Sequence, residues 1–134
     1  MVGILDVTIE RDLATIDTVA VHPDRQQQGC ASAMLAEAMT EASEAGATAI
    51  DAWTRDDEPP LRWYRARGFQ ESDHYLHVYA NLYAGPAEPD RAVQSPHPGL
   101  RPVMVFSHGR MEDEEQLRTA FQRVHVCRRF LRAL

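Results

Sequence analysis

Lysine is missing from this sequence of 134 residues, so all fourteen basic side chains are arginine. Against them stand twenty acidic side chains, which gives a net charge of −6. A chain with this balance offers no broad cationic surface for nucleic acid. Long apolar runs are also missing: the longest, such as residues 103–106, are far shorter than the roughly 18 residues of a membrane-spanning helix. We therefore expect no nucleic-acid partner and no membrane span.

Metal-ligand spacings are missing as well. The two cysteines, Cys30 and Cys127, form no CxxC pair, which argues against a zinc knuckle or a redox motif and leaves them as small packing residues. The histidines share no ligand spacing either, since His74 and His77 lie three residues apart in a predicted strand and hence on opposite faces. We predict no metal ion.

The first residues show no secretory signal. Residues 1–5 are too short for a signal-peptide apolar region and run directly into charged side chains. The expected compartment is therefore the cytoplasm. A length of 134 residues with 44% apolar side chains indicates one folded domain.

Apolar patterning predicts both strands and helices. Two β-branched runs, residues 2–9 and 14–21, predict an antiparallel hairpin. Apolar residues at spacings of three and four predict a helix over residues 29–45, with Gly46 at its C-terminal cap. The pattern further predicts strands over 47–53, 74–83 and 102–107, and helices over 60–67 and 112–122.

Four prolines between residues 85 and 99 predict a linker. The last dozen residues fit helical spacing but also alternate as a strand does, and we favour the strand. The resulting organisation is a core over residues 1–83, a proline-rich linker over 84–100, and a strand-helix-strand segment over 101–134 that completes the same domain.

The most informative stretch joins the second strand to the first helix. It leaves several backbone N–H groups unpaired at the positive end of the helix dipole, which is an anion site. Small residues at Gly29, Ala31 and Ser32 would let a phosphate approach the backbone. Neither the GxGxxG nor the GxxxxGK[ST] pattern is present, which argues against a dinucleotide or a triphosphate.

Two motifs identify a family resemblance. Gln26-Gln27-Gln28-Gly29-Cys30-Ala31, preceded by Val19-Ala20-Val21-His22-Pro23-Asp24, resembles the strand-to-helix signature of the acetyl-CoA-dependent N-acetyltransferases of the GNAT superfamily. Trp63-Tyr64-Arg65-Ala66-Arg67-Gly68-Phe69 resembles their second motif. The resemblance implies an α/β or α+β fold, in which a mixed central sheet with helices on both faces splays around acetyl-CoA. The strand-helix-helix-strand segment that usually precedes the hairpin does not occur here, so we expect an N-terminally truncated form.

The resemblance also implies which residues bind the cofactor. The backbone of the second strand would contact the pantetheine of acetyl-CoA, and the amides of the following loop and helix start would hold its pyrophosphate. Asp57 stands close to where the family often has an asparagine that contacts CoA. The cofactor-binding residues implied in this way are Val19, Ala20, Val21, Gln26, Gln27, Gln28, Gly29, Cys30, Ala31, Ser32 and Asp57.

The catalytic residues follow from the same resemblance. Tyr64 matches the tyrosine that donates a proton to the departing CoA thiolate, a task for a positioned acid; the alternative is that it is an amphipathic core residue. The family takes its general base from an acidic residue on a central strand, which leaves Asp17 and Asp51 as candidates. Either could instead be an ordinary hydrogen-bonded carboxylate near a strand end.

The sequence thus predicts acetyl transfer from acetyl-CoA to a primary amine. The acceptor stays open among a small drug, a polyamine, a peptide N-terminus and a protein side chain. A non-catalytic acyl-CoA-binding module is the alternative. Because the strand over residues 2–9 would be left as a bare sheet edge, we also predict a homodimer.

Overall fold

The computed structural model describes all 134 residues and contains six strands and four α-helices. The elements are β1 (Gly3–Glu10), β2 (Leu13–Val21), α1 (Cys30–Glu44), β3 (Ala49–Arg55), α2 (Glu58–Ala66), β4 (Gln70–Asn81), α3 (Glu88–Ala92), β5 (Met104–Gly109), α4 (Glu114–Ala120) and β6 (Arg123–Ala133). Short 3-10 turns precede α1 and α4.

The strands form one mixed sheet in the order β1-β2-β3-β6-β4-β5. The pairs β1/β2 and β4/β5 are antiparallel, whereas β2/β3 is parallel. The predicted fold class, an α/β arrangement around a mixed sheet, is therefore confirmed. None of the helices has the length and apolar character needed to cross a bilayer.

Contacts along the chain define two compact units. The first comprises Met1–Thr54, Glu58–Ser72 and Arg129–Leu134, and the second comprises Arg55–Asp57 and Asp73–Arg128. Strands β4 and β6 each contribute residues to both units. Each unit has a hydrophobic core of its own.

The first unit starts from the β1–β2 hairpin, whose tight turn places Arg11 in the left-handed region at φ 59°. Its hydrophobic core contains Ala14, Ile16 and Ile50 from one face of the sheet, and Leu35 of α1 belongs to the same buried cluster. Leu5 and Val7 of β1 pack against the same cluster, as strand alternation requires.

Both helices of the first unit end in a Schellman motif. After α1, the Gly46 N–H donates to the Ser43 carbonyl and the Ala47 N–H donates to the Ala42 carbonyl. This geometry needs a left-handed residue, which Gly46 supplies at φ +95°. The predicted cap at Gly46 is therefore observed. Sequence patterning placed the end of α1 within one residue because only glycine adopts this conformation without strain.

The second unit has a core under α4 and α3. Leu76, Val78 and Ala80 of β4 are buried there beside Val124 and Val126 of β6. Helix α3, five residues long, lies inside the segment predicted as a proline-rich linker. Pro89 sits in the first turn of α3, where it blocks no hydrogen bond. The buried Glu88 carboxylate accepts a bond from the Gln122 N–H at 2.6 Å, which anchors the short helix.

Candidate active site

A cleft opens in the first unit where β2 and β3 separate. Their parallel ladder ends at the pair Ile16 and Ala52, although β2 continues to Val21 and β3 to Arg55. Beyond that pair, the β2 edge that faced β3 has no ladder partner. The cleft has a volume of about 770 Å³, within the usual range for small-molecule sites.

An irregularity in the hairpin places Asp17 at the start of this cleft. The β1–β2 register passes from Val7 opposite Ile16 to Asp6 opposite Thr18, so that Asp17 has no partner on β1. Such a bulge redirects side chains locally. Asp17 and Thr18 both line the cleft. The Thr8 hydroxyl donates to Asp17 Oδ2 at 2.6 Å, which holds the exposed carboxylate in place.

The loop after β2 is shaped by its own glutamines. The side-chain amide of Gln26 donates to the Val21 carbonyl at 3.2 Å, and that of Gln28 donates to the Asp24 carbonyl at 3.3 Å. Gln27 and Gly29 both adopt positive φ values, 61° and 82°. The loop therefore turns sharply into α1 and presents backbone rather than side chains at the helix start.

The first turn of α1 is free of side-chain caps. Gly29 is its N-cap and makes no side-chain bond, and the first turn carries no acidic residue. A Cβ on Gly29 would meet nothing within 4 Å. Cys30, Ala31 and Ser32 line the cleft with Gly29. Small residues, uncapped amides and the positive end of the helix dipole together make this end of the cleft suited to an anion.

Two arginines reinforce that end of the cleft. The Arg67 guanidinium donates from Nε to Ser32 Oγ at 3.0 Å and lies 5.1 Å from the centre of the Trp63 ring. Arg25, in the 3-10 turn before α1, also lines the cleft. Sequence reasoning missed both as functional residues. A signal for Arg67 existed, since it directly precedes Gly68 in the second motif.

Tyr64 is fixed by backbone and ring contacts. At the end of α2 the Phe69 N–H donates to the Tyr64 carbonyl, in a second Schellman motif with Gly68 at φ +80°. The Tyr64 ring stacks on Phe130 at 5.5 Å and meets the edge of Phe69 at 5.3 Å. Tyr64 lines the cleft although its residue surface is only 5% exposed. This burial raises the pKa of the Tyr64 phenol, which therefore stays protonated at neutral pH.

Asp51 lies in a different environment. It is 3% exposed, and its two oxygens accept bonds from the Thr15 hydroxyl at 2.7 Å and from Arg129 Nε at 2.6 Å. It is absent from the cleft lining. Thr15 is paired with Asp51 across the ladder, one step before the last pair. The carboxylate thus ties together the two strands just where they are about to separate.

Most residues that the sequence assigned to the site come together in the cleft. Those that line it are Asp17, Val19, Ala20, Val21, Gln26, Gln27, Gly29, Cys30, Ala31, Ser32 and Tyr64. Gln28, Asp51 and Asp57 are not part of the lining. Further residues that line the cleft include Thr18, Trp53, Pro59 and Pro60. Nowhere in the chain do three or more metal-ligating side chains cluster in a way that could hold a metal ion.

Comparison with known families decides the relationship. A family model described as an acetyltransferase (GNAT) domain matches residues 1–71, which is more than half of the chain. The chain belongs to the GNAT family. The matched GNAT region contains the hairpin, α1, β3 and α2, and therefore all residues that line the cleft.

Solved GNAT structures share the fold at low sequence identity. The Escherichia coli ribosomal-protein-S18-alanine N-acetyltransferase aligns with a TM-score of 0.58 and 18% identity over 99% of this chain and 61% of its own. A Bacillus subtilis acetyltransferase in complex with CoA gives 0.57 and 14%, over 100% and 70% of the two chains. A tandem GNAT protein from the clavulanic acid biosynthesis pathway gives 0.59 and 24%, over 73% and 34%.

The chain thus spans less than two thirds of the E. coli enzyme, and these identities establish the fold alone. A search of curated protein sequences found no significant match.

Proposed function

We propose that this GNAT domain transfers an acetyl group from acetyl-CoA to a primary amine. The observation that carries the proposal is the cleft itself, which joins an unpaired strand edge to an uncapped helix start. The strand edge suits the extended, amide-bearing pantetheine chain of CoA, and the helix start suits its pyrophosphate. The Bacillus subtilis relative, solved in complex with CoA, supports the same ligand class.

The fit of acetyl-CoA rests on complementary chemistry along the cleft. Val19, Ala20 and Val21 offer an exposed strand edge to the pantetheine amides. The amides between Gln27 and Ser32 suit the pyrophosphate, and the open space at Gly29 lets it come close to the backbone. Arg25 and Arg67 supply the positive charge that the phosphates require.

Two side chains of the cleft take part in the proton transfers of this reaction, one as a base and one as an acid. Acetyl-CoA supplies an acetyl group activated as a thioester, which the nitrogen of a neutral amine attacks. Asp17 accepts the proton that the ammonium form of the acceptor must lose, either directly or through one water. As the new C–N bond forms and the C–S bond breaks, Tyr64 donates its phenolic proton to the departing sulfur, and the second proton that the attacking nitrogen loses on becoming an amide restores the phenol. Oriented groups and proximity account for most of the remaining rate gain.

Asp17 is the better of the two candidate bases for a geometric reason. Its carboxylate lines the cleft and has one donor, whereas both oxygens of Asp51 are engaged by Thr15 and Arg129. We therefore assign to Asp51 a positioning role at the junction of β2 and β3. Asp57 is left with no proposed contact, because it is exposed and outside the cleft lining.

A direct test measures transfer and binding separately. The chain is incubated with acetyl-CoA and a panel of primary amines, and acetylated amine is identified by mass spectrometry. Binding is followed by thiol labelling of Cys30, which is half-buried in the cleft and should be shielded by the bound ligand, with the buried Cys127 as an internal control. The ligand in this assay is acetyl-CoA, because its acylated sulfur does not consume the label as the free thiol of CoA would. Shielding without any acetylated amine would support the non-catalytic binding module instead.

The role of Tyr64 is tested by removing one oxygen. Tyr64→Phe should lower kcat by about 10²- to 10⁴-fold while acetyl-CoA still shields Cys30, because only the acidic proton is lost. The matched control is Tyr83→Phe, since Tyr83 is 85% exposed and lies outside the cleft lining. If both variants turn over like the wild type, Tyr64 is a packing residue.

A further inference from the structure

The two ends of the cleft differ in charge. The side chains with a formal charge that line it are Asp17, Arg25 and Arg67. Arg67 is bonded to Ser32 in the first turn of α1, and Arg25 belongs to the turn just before α1. Both cations, together with the helix dipole, therefore lie at the α1 end.

The opposite end carries the single anion. Asp17 is four residues before Val21 along β2, a separation of about 13 Å at the usual rise of a strand. It is the first β2 residue beyond the last ladder pair, and Trp53 is the first residue beyond that pair on β3. The apex of the cleft thus has a carboxylate on one wall and an indole on the other, and both residues line it.

Trp53 is 38% exposed and lines the cleft, so part of its side chain can be reached by a ligand there. An indole face attracts cations through its ring quadrupole, more strongly than other aromatic rings do. No cationic side chain lines the apex, and Arg129 at the adjacent β2–β3 junction is outside the lining and already bonded to Asp51, so the lining offers no cation to a carboxylate on the acceptor. An acidic acceptor would meet Asp17 without compensation, which is unfavourable.

We propose that the amine acceptor carries a second cationic group and no carboxylate, as a diamine or polyamine does. This inference rests on the proposed acetyl transfer. Asp17 takes the reacting ammonium and removes its proton, while the remote ammonium lies against the Trp53 face. Trp53 then acts in substrate selection, and Thr8 is a positioning residue that aims the Asp17 carboxylate.

Three acceptors of similar length separate charge from size. 1,4-Diaminobutane, butylamine and 4-aminobutyrate carry a cationic, a neutral and an anionic remote group, respectively. We expect kcat/KM to fall in that order, with diamine over butylamine by about 3- to 30-fold, the range of a cation–π contact. The difference should appear in KM, and added salt should reduce it.

Variants at Trp53 show whether the indole is responsible. Trp53→Leu should bring the ratio of diamine to butylamine close to one, whereas Trp53→Phe should keep part of the preference because an aromatic face remains. A purely structural effect would lower kcat/KM for both amines equally. Shielding of Cys30 by acetyl-CoA, measured on each variant, checks that the cofactor site is intact.

The possible outcomes are distinct. Equal kcat/KM for the three acceptors, or a preference for 4-aminobutyrate or for a peptide with an N-terminal alanine, would overturn this inference and leave the proposed acetyl transfer standing. A diamine preference that survives Trp53→Leu would remove the role of the indole. If no amine is acetylated although CoA binds, the proposed function fails, and this inference fails with it.

Discussion

Replacement of Arg129 by methionine should lower the free energy of unfolding, because it leaves the buried charge of Asp51 without its cation. The Asp51 side chain is 4% exposed and the Arg129 side chain 26%, and their atoms meet at 2.6 Å. In Arg129→Met the carboxylate stays buried with only the Thr15 hydroxyl as a donor. Removing one partner of a buried ion pair costs about 3–5 kcal/mol. That is a large part of the roughly 5–15 kcal/mol by which a small domain is stable.

The sign of a second substitution tests the reasoning more sharply than the size of the first. Asp51→Asn keeps an acceptor for Thr15 but removes the charge. In the wild-type background it should destabilise the chain, because Arg129 loses its carboxylate. In the Arg129→Met background it should stabilise the chain, because it removes an unpaired buried charge. The two substitutions are therefore expected to be strongly non-additive.

The assay is urea unfolding of the four chains of this cycle. With a slope of about 2 kcal/mol per molar urea, Arg129→Met should lower the midpoint by roughly 2 M. Arg62→Met is the control, since Arg62 pairs with Glu58 at 3.9 Å through side chains that are 74% and 65% exposed, and its loss should cost no more than about 1 kcal/mol. Additive effects, or similar losses for the two arginines, would refute the argument that burial of Asp51 makes this pair important.

Three further outcomes are expected. Gly29→Ala and Gly46→Ala should each lower the free energy of unfolding by about 1–2 kcal/mol, since both glycines have positive φ and open space around them. Only Gly29→Ala should also weaken the thermal shift caused by CoA, because only Gly29 lines the cleft. Burial, together with nearby arginines, lowers the pKa of His77 and of His125, so the unfolded chain binds more protons than the folded chain as the pH drops below about 6.5, and the free energy of unfolding should fall there. In urea titrations at pH 5 to 7.5, the double variant His77→Gln with His125→Gln should show a smaller dependence of this free energy on pH. The edge strand β1, with Ile4 and Ile9 about two-fifths exposed, keeps the homodimer as a prediction, and a sedimentation mass that stays near 15.1 kDa at all concentrations would contradict it.

The elements that sequence patterning located well are those with local causes. Gly46 and Gly68 end α1 and α2 because each supplies a left-handed residue, and the hairpin follows from two β-branched runs with a tight turn between them. The segment around Glu88 was missed for the opposite reason. Its short helix depends on a bond from Gln122, which lies 34 residues further along the chain and leaves no trace in the local composition.

The residues of the candidate site also divide into those predicted by local motifs and those whose position depends on contacts distant in sequence. The loop from Gln26 to Ser32 and the tyrosine at position 64 are visible in contiguous motifs. The difference between Asp17 and Asp51 is not, because it depends on strand register. A bulge of one residue sets Asp17 at the cleft, and a ladder pair buries Asp51 beside Thr15. The alternation of residues along a strand does not distinguish Asp17 from Asp51 as the candidate general base.

The end of β6 shows why the strand interpretation of the last residues matters for the site. Arg129 and Phe130 are neighbours in the chain, and successive residues of a strand point to opposite faces of the sheet. Arg129 reaches Asp51, while Phe130 is fully buried and stacks on Tyr64. A helix would have turned these two side chains by only about 100° from one another. One strand can therefore hold both the ion pair at the β2–β3 junction and the ring of the proposed acid, which links the shape of the cleft to the position of Tyr64.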